Sequence, residues 1–181
     1  MSTIAYSFAQ SSLHWISAPV LMSSIGCVLL AQETKKGEKS LGYSKGDLMF
    51  FHKSFGTAAF CLMIPRVFTK VMAPKVLPLI SSPVEQGLAK VSHNALYVFL
   101  TVMPITGVGM GMYGGKGLPF FFKTIEPFEK NGTIAKYSFK VHKTMGTYGK
   151  YLVPLHVGAA GMHAAQGGSI FSRISVFRKG M

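Results

Sequence analysis

Four stretches with little or no charge divide this chain, and each is about as long as a bilayer is thick. A hydrocarbon core takes roughly 20 mostly apolar residues of helix, and the pattern predicts helices over about 13–31, 48–68, 91–113 and 142–165. The first carries no charge and is ended by the Lys- and Gly-rich stretch from Glu33 to Asp47. The second holds only Lys53 near its start and Arg66 near its end, where long side chains can snorkel to headgroups. Pro74, Pro78 and Pro83 mark the segment after it as a surface connection. The third has Pro104 and Gly107 at its centre, tolerable in a membrane where neighbouring helices satisfy freed backbone groups. A long polar connection over 114–141 follows, with Phe120, Phe121 and Phe122 suited to the interface. Lys150 is awkward inside the fourth helix, so a polar cavity or an interface is expected around it.

Composition strengthens this reading. Hydrophobic residues make up 49% of the 181 and charged residues only 14%, against roughly 25% charged in a soluble chain. The net charge of +13 would suggest nucleic acid in a soluble protein, but the cations flank long apolar runs, as in a protein that meets anionic lipid headgroups. No nucleic-acid partner is expected. Cys27 and Cys61 lie in apolar runs and read as free thiols. The opening MSTIAYSFAQSS lacks a basic region, so no cleavable presequence is expected. The fold class is therefore all-α, a single integral-membrane four-helix bundle over 1–181.

All six histidines fall in or at the edges of these helices, and ionisable groups at membrane depth are functional candidates by default. With four antiparallel spans, side one of the membrane holds the start of the first and third helices and the end of the second and fourth. His14 lies on side one and His52 on side two. His142 opens the fourth helix on side two, and His156, fourteen residues later, lies roughly 21 Å along it, on side one. Fourteen residues are nearly four full turns, so both share one helix face. Two pairs result, His14 with His156 and His52 with His142, each from two helices at one depth. That arrangement places two imidazoles on opposite faces of one haem, so two b haems are expected. Gly146 and Gly149, and Gly56 and Ala59 beneath His52, either leave room for a macrocycle or reflect close helix packing.

His93 and His163 also lie on side one, where they contact haem propionates, a quinone or plain headgroups. Arg66 ends on the same side, either as a bidentate partner for a propionate or as a snorkelling arginine. Met63 sits on the His52 stripe and is read as core filler. There is no Cys and His spacing for structural zinc, no phosphate-binding glycine loop and no CxxCH motif.

Several motifs together resemble the bacterial-type cytochrome b561 family of dihaem, quinol-linked membrane cytochromes. They are LHW at 13–15, HKSFG at 52–56 with Arg66 beyond it, GLAKVSH ending at His93, and HKTMGTYGKYLVPLH from His142 to His156, followed by His163. The resemblance spans nearly the whole chain. It implies His14, His52, His142 and His156 as haem ligands and ubiquinol as reductant. The connection over 114–141 departs from the family in being Lys-rich and lacking tryptophan.

The expected function is transmembrane electron transfer through two bis-histidine b haems in a respiratory chain, alone or with other membrane subunits. The alternative is a haem-retaining structural subunit of a large respiratory or ATP synthase complex. Of the 19 Lys and Arg, seven fall on side one and twelve on side two. The positive-inside rule puts side two inside, opposite to the family's usual placement of both termini in the cytoplasm. This favours a mitochondrial inner membrane over a bacterial plasma membrane.

Overall fold

Local sequence signals set the helix ends. The structure, a computed structural model, describes residues 5–74, 76–77 and 82–177; Pro78 and three of the seven side-one cations, Lys75, Arg178 and Lys179, lie outside them. Ser7 caps helix α1 (Phe8–Glu33) in a capping box with Gln10, and Ser44 caps α2 (Lys45–Met72) in the same way with Asp47. Each box satisfies two backbone or side-chain donors that the first turn would otherwise leave unpaired. Ser82 caps α3 (Pro83–Tyr113), with proline in its first turn. These caps extend each helix beyond the apolar stretch, which is why α1, α2 and α3 are longer than the predicted 13–31, 48–68 and 91–113.

Two short hairpins lie on side two. Strands β1 (Lys39–Ser40) and β2 (Tyr43–Ser44) join α1 to α2, with Leu41 and Gly42 at positive φ in the turn. Strands β3 (Leu118–Phe120) and β4 (Lys123–Ile125) follow α3. The β3–β4 hairpin folds back on α2, where the buried Ser54 hydroxyl accepts the Phe121 N–H at 3.1 Å. Phe122 at its tip stays exposed.

The predicted helix over 142–165 is two helices in series, α4 (Gly132–Gly149) and α5 (Leu152–Ala165). Pro154 has no N–H to donate to the carbonyl of Lys150, four residues earlier, and the chain breaks there. Lys150 caps α4 at the break, with its Nζ 5.1 Å from the Tyr151 ring centre. A short α6 (Ile170–Arg173) is the last helix among the described residues. Among the described residues, α1, α2 and α3 are each long and apolar enough to span a bilayer alone, while α4 and α5 follow one another as two shorter helices.

Packing pairs α1 with α2 and α3 with α4, and α2 joins the pairs through α3. Phe99, Ala59 and Met63 are buried between helices, Met63 as the filler expected. Ser11, Ser17, Ser24 and Thr57 are buried with them, since small polar residues let membrane helices approach closely. Only 11, 17 and 22% of the most apolar stretches of α1, α2 and α3 is buried inside the protein. Their outward apolar surface suits acyl chains. The chain is an integral, multi-pass membrane helical bundle. Both terminal segments meet on side one, where Trp15 Nε1 donates to the Ile174 carbonyl at 2.8 Å and the Tyr6 N–H to the Arg173 carbonyl at 3.2 Å.

Candidate functional site

On side two, α2 and α4 bring His52 and His142 together with ring centres 6.2 Å apart. Nδ1 of His52 lies 2.9 Å from the Ser24 carbonyl on α1, and Nδ1 of His142 lies 3.0 Å from the Met103 carbonyl on α3. A carbonyl only accepts, so both Nδ1 atoms carry the proton and both Nε2 atoms keep a lone pair for a metal. The Ser24 and Thr106 hydroxyls stand 3.1 Å from the same Nδ1 atoms and narrow each ring's orientation further. Gly107 leaves the ring its room: a Cβ at this position would lie 3.3 Å from His142 Cε1, and the imidazole would have to shift by a few tenths of an ångström.

On side one, α1 and α5 bring His14 and His156 to 6.4 Å between ring centres. His93 of α3 stands 5.3 Å from His156 on another flank. Arg66 of α2 reaches the pair, with Nη1 donating to the Leu13 carbonyl at 3.0 Å and Nη2 to His14 Nδ1 at 3.2 Å. His163 lies one helical stretch further, near the end of α5, where its carbonyl accepts the Gly168 N–H. Among the described residues its ring does not join the other side-one rings.

Both pairs fit a haem. Two imidazoles that held one metal between them, each nitrogen about 2 Å from it and roughly 1 Å from its own ring centre, would have ring centres about 6 Å apart. The observed 6.2 and 6.4 Å meet that requirement. Among the described residues no group of three or more His, Cys, Asp or Glu is placed to hold a bare metal ion. Two histidines alone suit an iron that brings its own four ring nitrogens.

The small residues resolve differently. A Cβ on Gly149 would overlap the Phe99 ring, one on Gly146 would meet Met103 Cε at 3.5 Å, and one on Gly56 would meet Ser24 Oγ at 3.8 Å. Gly149 and the buried Ala59 therefore serve close helix packing, whereas at Gly146 and Gly56 a Cβ would make only ordinary van der Waals contacts. Ser24, Met103, Thr106 and Leu13 were not singled out from sequence. Three of them act through a backbone carbonyl, for which the side chain gives no signal. Cys27 and Cys61 are free thiols, as expected.

A family model for prokaryotic cytochrome b561 matches residues 5–174. Cytochrome b561 homolog 1 of Escherichia coli (strain K12) is 26% identical over 162 residues, covering 87% of this chain and 89% of that protein. Cytochrome b561 homolog 2 of the same organism is 29% identical over 119 residues, covering 64% of this chain and 60% of its own length. A probable superoxide oxidase, CybB, of Yersinia pestis is 25% identical over 162 residues, with 87 and 88% coverage. With apolar helices crossing a membrane and two histidine pairs spaced for b-type haem, the chain belongs to the prokaryotic cytochrome b561 family.

Proposed function

We propose that this protein carries electrons across a membrane through two b haems, one held by His14 and His156 and the other by His52 and His142. The observation that carries the reading is the pair of ring separations, 6.4 and 6.2 Å, at opposite ends of one bundle. Iron held by two histidines has no open position, which suits electron transfer rather than binding or activation of oxygen. The protein supplies burial, axial ligands and the hydrogen bonds that fix them; haem supplies the one-electron chemistry.

A quinol is the proposed reductant, and side one its place of oxidation. His93 stands beside His156, with Lys70 and Arg173 as its electrostatic neighbours and Tyr97 next to Arg66. This offers imidazole and phenol groups to a quinol hydroxyl near one haem. The name of the Yersinia pestis relative makes superoxide a second donor to test.

The relatives named above are bacterial and give the mitochondrial inner membrane no support. In a bacterial plasma membrane the same excess of twelve cations over seven places side two in the cytoplasm.

The test is a reduced-minus-oxidised spectrum of the purified protein with haem and protein quantified, followed by mixing with ubiquinol or with superoxide. Two b haems per chain, both reduced by ubiquinol, are expected. Fewer than two haems overturns the pairing. Two haems that neither donor reduces would instead indicate a haem-retaining accessory subunit of a larger respiratory or ATP synthase assembly.

A further inference from the structure

Of the chain's three arginines, Arg66 and Arg173 lie on side one and Arg178 lies outside the described residues, whereas every cation of side two is a lysine. Arg66 is the one at the haem pair. Its guanidinium donates to the Leu13 carbonyl and to His14 Nδ1 and lies 5.9 Å from the Tyr97 ring centre, while its Nε is buried with no hydrogen-bond partner. The six acidic residues offer it nothing. Glu33, Glu38, Asp47, Glu126 and Glu129 lie at the side-two end, and Glu85 is exposed in the first turn of α3. Lys70 adds a second cation 5.5 Å from the same Tyr97 ring. A half-buried guanidinium with a fully buried, unpaired Nε, neighboured by Tyr97 but by no carboxylate, suits an anion from outside the chain.

The contact with His14 points the same way. A guanidinium only donates, so Arg66 holds His14 Nδ1 as an acceptor, the reverse of His52 and His142. A neutral imidazole that presents Nε2 to a metal must carry its proton on Nδ1. Arg66 and a metal therefore compete for the form of His14, and the competition ends when a carboxylate takes the guanidinium.

We propose that Arg66, supported by Lys70, binds a propionate carboxylate of the side-one haem and thereby releases His14 for ligation, so that carboxylate recognition is a property of side one alone. This rests on the two-haem reading. Arg66 is a positioning residue: it acts on the iron through His14 and through the orientation of the macrocycle.

The experiment isolates each site in the full-length protein, with His142→Ala leaving only the side-one haem and His156→Ala only the side-two haem. Protein expressed under haem limitation is loaded in detergent with haem b or with its propionate dimethyl ester, and binding is read by Soret titration. Side one is expected to prefer the free acid by about tenfold, with side two indifferent. Arg66→Gln should abolish the preference and Arg66→Lys should retain part of it. Unchanged side-two loading in the same Arg66 variants, carrying His156→Ala, shows that they fold. Equal loading of acid and ester at side one, or a preference that survives Arg66→Gln, overturns the proposal. Failure of either haem form to bind at both sites overturns the haem reading itself, a distinguishable result.

Discussion

His52 on α2 gives its Nδ1 proton to the carbonyl of Ser24 on α1, 2.9 Å away. The bond crosses from one helix to the next, so the orientation of a side-two ligand depends on how α1 packs against α2. His142 is held in the same way by Met103 of α3. Each side-two ligand is thus tied to a helix that carries no ligand for that haem.

Gly107 is the position where this arrangement is tightest. Alanine there gains helix propensity, about 1 kcal/mol in a soluble helix, yet its Cβ crowds His142 Cε1 at 3.3 Å. Gly107→Ala should leave thermal stability within about 1 kcal/mol of the parent while lowering side-two haem content several-fold. Haem quantification with spectra of both centres checks this; equal loss on both sides would contradict it.

Gly149 tests packing against cavity. Its neighbour Phe99 is buried, and a Cβ would overlap the ring. Gly149→Ala should destabilise the bundle by about 1–3 kcal/mol, lowering both haems together, and Phe99→Leu in the same chain should recover part of the loss. A variant that loses one haem with the fold intact would return Gly149 to the haem pocket.

The spans and the two histidine pairs were legible in the sequence because both depend on local arithmetic. Apolar length fixes a crossing, and fourteen residues return a helix to the same face. Both pairs, His52 with His142 and His14 with His156, form despite the break between α4 and α5. Partners on other helices were not legible: nothing near His52 in the chain names Ser24, and the same is true of Arg66 and Leu13. The break itself had a readable cause in Pro154, but the apolar run on either side of Lys150 concealed it.

Replacing Pro154 restores a donor to the Lys150 carbonyl. Pro154→Ala should close the gap between α4 and α5 and slow amide exchange over 151–155 about fivefold, the effect of one added hydrogen bond of about 1 kcal/mol. Unchanged exchange would assign the break to Gly149 and its packing instead.

His93 and His163 separate neighbourhood from ligation. His93→Ala should keep two haems per chain but shift the midpoint potential of the side-one centre, since His93 stands 5.3 Å from His156. His163→Ala should leave both centres unchanged in a redox titration. A missing haem in either variant would make that histidine a ligand.

The most direct measurement of the account is the low-temperature reduced-minus-oxidised spectrum, with haem per chain, of four single variants: His14→Ala, His156→Ala, His52→Ala and His142→Ala. Loss of either side-one ligand should remove or convert the same spectral component, loss of either side-two ligand the other, each variant keeping one intact b haem. If His14→Ala and His156→Ala strike different components, or if His52→Ala and His142→Ala do, the pairing is wrong.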